Sequence, residues 1–561
     1  MKRAPVIGIG LDAADPTLLE PWMDQGLLPN LDRLRREGTY GRLANTVPYA
    51  GDNEVEFSST EPSWVIFSTG CYPSKTGFWD TIAFSPEDYS VICDEVDSGY
   101  DYKGFSPFYA LGDNYRVAAF DIPVSALCDQ VKGLQILGWG GHFPFVPSHS
   151  NPQELFGEIV EKYGRNPVLH NDNGRWWDAK YVNWIQTALQ KSIEKRVAVC
   201  QDLLRRDSWD LFLTTFGDTH SAGHDLYDQS QPDHLLHTYR RGQTDPLLAI
   251  YKKVDWAIGE ILSAAPEDAT VFCYSVHGIG ANLTDLLSMF FLGEIMYRFN
   301  FPDRPGIAQG ELGKVPSSPI KNPIRRSWAD EVWRKVHEPN PIKKLINTWA
   351  PKKWMSANKY GLSSPRLLQS TQPQLGWMPG MAYSSLWPEM KAFAVPAFAD
   401  GHIRINLQGR ERDGNVLPDE YDGLCQEITA MLHGLTDGRS GQPLVKQVVR
   451  TRHNALDDDP TLPDADLVVV WNEIPTDVVD SPTLGRIGPV TFNRPGGHRS
   501  RGFFVGKGKG IPAGEVLENG RVVDIAPTFL SSLGAPIPEY YDGCSLFSSF
   551  SSEKAESISI A

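Results

Sequence analysis

Cysteine is scarce: there are seven in 561 residues, at 71, 93, 128, 200, 273, 425 and 544. They are odd in number and scattered, and no two form a Cys-x-x-Cys pair. That excludes a disulfide-stapled scaffold and a thiolate metal cluster, and leaves small, reduced, buried thiols as the expectation. Long apolar runs are missing too. The most hydrophobic stretch, Leu287–Tyr297, is interrupted by Glu294, and no run approaches the ~18 residues of a spanning helix. The opening Met1–Gly10 reaches Asp12 too soon to form a secretory apolar core, so a cytoplasmic protein is expected. Positive charge is in deficit: 53 Lys and Arg stand against 69 Asp and Glu, a net charge of −16. An acidic chain is a poor general partner for nucleic-acid polymers or anionic membrane surfaces, because both require clustered cations. No internal repeat is visible.

What is present is ordinary globular material, 41% hydrophobic and 22% charged, which excludes disordered and fibrous classes. Short apolar runs at Pro5–Leu11, Arg116–Phe120, Leu134–Leu137, Asp210–Thr215, Thr270–Tyr274 and Leu467–Trp471 read as buried strands. Helical spacing follows the first of these at Pro16–Met23, shortened by Pro21, and at Asn30–Arg36, with Gly38 as its stop. Val182–Arg206 is the clearest helix. Strands alternating with helices predict an α/β fold: a three-layer sandwich with a mostly parallel central sheet covered on both faces.

One segment differs in composition. Asn300–Met378 holds thirteen Lys and Arg, five Asp and Glu, and five tryptophans at 328, 333, 349, 354 and 377. The expected organisation is a discontinuous catalytic domain, 1–299 with 379–561, interrupted by a basic, Trp-rich insertion or cap at 300–378. The segment's charge could draw in an anionic substrate. Equally, it could be an accessory subdomain docked on an acidic body.

Gly8-x-Gly10-x-x-Ala13 fits a dinucleotide-binding fingerprint after a strand. Asp12 in the turn and Asp15 beyond it would repel a pyrophosphate, so the motif is rejected. A carboxylate at the end of a first strand suits a cation better. Three more strand-associated places carry metal-ligand side chains. His220 and His224 follow the strand at Asp210–Thr215 at i,i+4 spacing, which puts both on one helical face. His277 follows the strand at Thr270–Tyr274. His498 precedes the apolar run Gly502–Val505. Strand ends gather along one sheet edge, so these residues can converge. Thr60, just ahead of Pro62, stands where a helix could begin and run to Phe67, ending near Gly70. There a hydroxyl would meet the positive end of the helix dipole. Locally, the commoner use of such a threonine is as an N-cap.

Several blocks carry a wider resemblance: Gly10–Asp15 with Leu28–Leu34, Thr60-x-Pro62 with Thr69-Gly70-x-Tyr72-Pro73 and Gly77, and Arg521–Asp524 with Pro527-Thr528, Leu533-Gly534, Pro538 and Asp542-Gly543. They resemble the alkaline phosphatase superfamily, most closely its type I phosphodiesterase/nucleotide pyrophosphatase branch. The resemblance implies an alkaline-phosphatase-like fold and a phosphoesterase that binds divalent metal, zinc being the expected ion. Its substrate would be a small anionic phosphate ester, of phosphodiester or nucleotide type, attacked by Thr60 to form a phospho-enzyme. Position by position, Asp12, Thr60 and His277 would hold one metal, and His220, His224 and His498 the other. Two departures weaken the pattern. His220 replaces an expected Asp, and Val276 replaces the Asp of an Asp-His pair. Asp218 is the candidate either to substitute as a ligand or to support the ligands from behind, and one or two ions would be bound. Arg499 and Arg501 are candidates for substrate binding. The competing readings are a phosphoryl transferase or mutase of the same superfamily, for which Ser59 is the adjacent serine, and a degenerate, non-catalytic binding protein, for which Val276 is the main support.

Overall fold

The computed structural model describes residues 3–49, 54–93, 99–140, 148–169, 174–239, 244–281, 285–307, 310–312, 319–324, 326–335, 340, 342, 345–346 and 360–548. Its centre is a ten-stranded sheet. Across it the order is Glu515–Val516, Thr39–Ala44, Arg501–Lys507, Thr270–Ser275, Val6–Leu11, Leu211–Phe216, Val117–Phe120, Gly133–Leu137 and His149–Asn151, with Gly520–Arg521 also paired to Thr39–Ala44. From Thr270–Ser275 through Gly133–Leu137 every neighbour is parallel, while Arg501–Lys507 and His149–Asn151 run antiparallel. Five of the six expected strands lie in this sheet. The sixth, Leu467–Trp471, belongs instead to a four-stranded antiparallel sheet with Ala392–Val395, Gly401–Ile405 and Val445–Arg450. All five of its residues are buried, and a doubly covered strand reads alike in either kind of sheet.

The first strand shows how the layers form. Ile7, Ile9 and Leu11 face one core, built with the helices Pro16–Asp24, Pro29–Glu37, Ala179–Arg206 and Pro246–Ser263. On the opposite face Gly8 and Gly10 admit the helices Thr60–Thr69 and Ile525–Leu533. A Cβ on Gly8 would stand 2.7 Å from Phe529, and one on Gly10 would stand 3.2 Å from Trp64. These glycines therefore serve close packing of helix on sheet and leave no room for a nucleotide. The helix Thr60–Thr69 is buried along its whole length, with the apolar run Trp64–Phe67 at its centre. Phe67 stacks on Tyr274 of the sheet with ring centroids 4.9 Å apart. It stops at Gly70, whose φ of 64° is the left-handed conformation that glycine adopts without strain.

The chain leaves this body through a neck. Gly278–Ala281 pairs antiparallel with Gly496–Arg499, setting Ala281 opposite Gly496 and Ile279 opposite His498. Between these two strands runs the excursion that contains the second sheet, whose residues build a further core together with Ile82, Phe84, Trp176 and Trp177 of the body. Of the described part of 300–378, Ile307, Trp328, Trp333, Leu362 and Leu368 join that core, while Leu312, Ile324 and Trp377 are exposed. Trp349 and Trp354 fall outside the described residues. Among the described residues no helix is long and apolar enough to cross a membrane.

Candidate functional site

Every metal-ligand candidate from the sequence sits at the C-terminal edge of the parallel strands or on the neck, but the side chain of Asp218 is turned toward Arg196. The strand Leu211–Phe216 feeds the helix Asp218–Ser230, which carries His220 and His224. One turn apart, their Nε2 atoms are 3.3 Å from each other. The neck delivers His498, whose Nε2 lies 2.8 Å from that of His220 and 3.0 Å from that of His224. Among the described residues this is the one group of three metal-ligating side chains with donor atoms within 4.8 Å of one another. The neck lies directly against the helix because Gly496 and Gly223 lack side chains: a Cβ on Gly496 would stand 2.1 Å from the Gly223 carbonyl oxygen. His224 Nδ1–H donates to the Gly496 carbonyl oxygen at 2.8 Å, so in a neutral ring the lone pair sits on Nε2, which faces the Nε2 atoms of His220 and His498. His234 Nε2–H donates to the Pro495 carbonyl oxygen at 3.0 Å. Burial pushes its pKa down to about 4, so it stays a neutral strut for the same turn.

Three buried imidazoles with nitrogens this close cannot all present protons to one another, and the arrangement fits a cation. A tetrahedral ion with bonds of about 2.0–2.1 Å spaces its nitrogens roughly 3.3 Å apart, so the cluster needs to open by only a few tenths of an ångström.

Thr60 is the first residue of its helix and wholly buried, and the N-cap is Ser59, which makes no side-chain capping bond. The cap position thus falls on Ser59 and not on Thr60. Thr60 Oγ1 lies 3.3 Å from both ring nitrogens of His498. Ser63 Oγ, one turn on, is engaged by Asn45 at 2.7 Å.

Asp12 and His277 are both fully buried, and His277 Nε2 lies 3.2 Å from Asp12 Oδ1, close but out of line for a hydrogen bond. The indole N–H of Trp64 donates to the same Oδ1 at 2.9 Å. Asp12 Oδ2 has no protein partner. The His277 ring centroid is 4.9 Å from that of His498, so the pair adjoins the three-histidine cluster. Val276 is buried in the apolar cluster with Trp64 and Tyr274.

Three expected residues are placed differently from their sequence-based roles. Asp218 points away from the cluster, with Oδ2 3.9 Å from Arg196 Nε. Burial pushes its pKa up to about 6, against the pull of that guanidinium. Arg499 and Arg501 both meet Glu473, at 3.1 and 3.5 Å, and Arg499 also reaches Asp15 at 3.9 Å. Along a strand, neighbouring side chains alternate sides, and His498 takes the side facing the site. Trp64, His234 and the Gly496 carbonyl were missed from the sequence. Trp64 alone carried a signal, standing one helical turn after Thr60.

The sequence model of the family described as "Type I phosphodiesterase / nucleotide pyrophosphatase" matches residues 6–305, which include Asp12, Thr60, His220, His224 and His277 but not His498. A match over more than half the chain places the protein among hydrolases acting on phosphoric ester bonds. The chain belongs to the type I phosphodiesterase/nucleotide pyrophosphatase family. No curated protein matches it. Similar solved structures include phosphonoacetate hydrolase from Sinorhizobium meliloti 1021 in complex with phosphonoformate, at 13% identity, covering 95% of this chain and 96% of that one, with a TM-score of 0.41. Murine ectonucleotide pyrophosphatase/phosphodiesterase 5 is 10% identical, with 95% and 96% covered and a TM-score of 0.46. An inactive form of that mouse protein in complex with AMP is also 10% identical, with 96% of each chain covered and a TM-score of 0.44.

Proposed function

We propose that this chain hydrolyses small phosphate esters, of phosphodiester or nucleotide type, with Thr60 as nucleophile and a divalent metal, zinc, held by His220, His224 and His498. The observation that carries this is the position of Thr60 Oγ1: buried, at the head of a helix, 3.3 Å from a histidine of the three-imidazole cluster. When bound, the ion supplies positive charge against the anionic ester and its leaving oxygen. Its ligand set is all imidazole, a chemistry that suits zinc.

The chain's own residues do the rest. Thr60 Oγ1 attacks phosphorus in line with the departing oxygen, and a phosphothreonine forms as the ester bond breaks. Water then cleaves the phosphothreonine and regenerates the hydroxyl. The helix Thr60–Thr69 presents the positive end of its dipole, uncapped by Ser59, to a non-bridging phosphoryl oxygen. The surrounding aromatic core excludes bulk water, which strengthens these interactions.

Thr60→Ala tests the proposal. Turnover of aryl phosphate diesters should fall by roughly 10⁴-fold or more, and phospho-enzyme trapping should be lost, with circular dichroism and metal content unchanged. Near-wild-type turnover by that variant refutes the assignment. Val276 favours a second reading, a non-catalytic binder that keeps the fold. A wild-type protein without metal or turnover across phosphate mono- and diesters would support that reading instead.

A further inference from the structure

The neck has two faces. On one, His498 meets His220, His224 and Thr60. On the other lies Arg499, whose side chain is 18% exposed and whose guanidinium reaches three parts of the molecule at once. Nη2 is 3.1 Å from Glu473 Oε2, in the excursion. Nη1 donates to Thr17 Oγ1 at 3.4 Å and lies 3.9 Å from Asp15 Oδ2, both in the body. Asp15 is wholly buried and caps the helix Pro16–Asp24 through Oδ1, while its Oδ2 has no hydrogen-bond partner. A carboxylate oxygen withdrawn from water is costly unless a cation stands near it, and Arg499 supplies one. The paired strand is shaped to admit both groups. A Cβ on Gly280 would stand 2.4 Å from Arg499 Nε, and its nearest neighbours would all be Arg499 atoms. A Cβ on Gly278 would stand 2.3 Å from Asp15 Oδ2.

We infer that Arg499 is a positioning residue for the reaction: tied to Glu473 on one side and to Thr17 and Asp15 on the other, it holds the neck so that His498 stands against His220 and His224 and beside Thr60. The inference rests on the function proposed above and deepens it. Arg499 follows His498 directly, so a shift of the strand at one carries the other. The site tolerates little shift, because the three imidazoles already lie close to the spacing an ion requires, and a misplacement of about 1 Å can cost roughly 100-fold in rate. The positive charge at 499 is thereby engaged inside the protein, across the neck from the face that carries His498.

The test uses the full chain and the variants Arg499→Ala, Glu473→Gln and Gly280→Ala. Zinc affinity is read by competition with a chromophoric chelator, and amide hydrogen exchange of the neck is read on metal-stripped protein. Arg499→Ala should weaken zinc by roughly tenfold or more, speed exchange of the amides at Gly278–Ala281 and Gly496–Arg499, and lower kcat for an aryl phosphate diester with little change in KM. Gly280→Ala, which pushes the guanidinium aside, should act in the same direction, and combined with Arg499→Ala it should add little further loss. Zinc affinity in Arg499→Ala within about twofold of wild type overturns the inference. So does strict additivity of the two changes, and so does a raised KM at unchanged kcat, which would make Arg499 a substrate contact. Should Arg499→Ala fail to fold, Glu473→Gln decides: it should weaken zinc and speed neck exchange to a smaller extent, and wild-type values for both overturn the inference. Zinc affinity and neck exchange are measured without substrate, so they can fail while phospho-enzyme trapping on Thr60 succeeds, and loss of trapping in the wild type would sink the proposed function by itself.

Discussion

Arg196 offers the most demanding test of how the histidine helix is held. It lies on the helix Ala179–Arg206 with no exposure to solvent. Its guanidinium donates to Asp121 Oδ2 at 2.7 Å and lies 3.9 Å from Asp218, the first residue of the helix that carries His220 and His224. The rings of Phe120, Trp139 and Phe216 surround it, with centroids 4.9, 5.3 and 5.5 Å from its central carbon. Arg196→Met keeps much of the volume and removes the charge. Asp121 would keep the backbone N–H groups of Trp139 and Gly140, both at 2.9 Å, but lose its cation. Asp218 would lose the charge that opposes its desolvation. Breaking a buried pair from one side costs about 3–5 kcal/mol, and the lost cation–π contacts add roughly 0.5–2 kcal/mol. Urea unfolding followed by far-ultraviolet circular dichroism should therefore show a loss of about 3–5 kcal/mol or somewhat more. Adding Asp121→Asn removes one stranded charge, so the double variant should be less destabilised than the sum of the two single changes. A single-variant loss below about 1 kcal/mol, or strict additivity, would refute the reasoning.

The remaining expectations concern metal, packing and pH. His498→Ala should abolish tight zinc binding while leaving the sheet intact, which metal analysis beside circular dichroism would show; full metal retention contradicts the cluster. Gly8→Ala places a methyl group 2.6 Å from Leu213 and 2.7 Å from Phe529, so stability should fall by about 1–3 kcal/mol with no change in metal content. Asp400 is buried, and desolvation together with Glu56 and Asp80 raises its pKa from 3.8 to about 8. Because the folded state holds this proton more strongly than the unfolded chain, the stability it contributes is present below about pH 4 and lost as pH rises toward 8. His402, whose pKa is pushed down to about 4, acts in the opposite sense between there and its ordinary value. It is present in both proteins, so the difference between wild type and Asp400→Asn isolates Asp400. The variant should gain stability relative to wild type progressively from pH 4 to 8, and a pH-independent difference would exclude the effect.

Much of the fold was legible because strand-forming runs and helix stops are local. Val6–Leu11, Leu211–Phe216 and Thr270–Ser275 announce themselves by composition, and Gly70 ends its helix for a reason visible in one residue. The candidate ligands were legible because they stand at strand ends, where an α/β sheet collects them. What was not legible depends on distant partners. Nothing near His498 states that its strand pairs with Gly278–Ala281, and nothing near Arg499 states that Glu473 occupies it. Asp218 stands two residues from His220, yet its side chain turns to the other face of the helix, where Arg196 waits. Leu467–Trp471 carries the same apolar signal as the central strands because burial on both faces erases the alternation that would set it apart.

The neck between Gly278–Ala281 and Gly496–Arg499 has a consequence for how such a protein can diversify. Its hydrogen bonds fix the ends of the excursion beside His277 and His498 whatever lies between them. Closing a flexible loop twice as long costs only about 0.6 kcal/mol more, so surface turns within the intervening segment can be lengthened or trimmed while the imidazoles keep their places. The neck works as a grafting point, with reactive chemistry on one side of it and freedom to redraw the shape presented to ligands on the other.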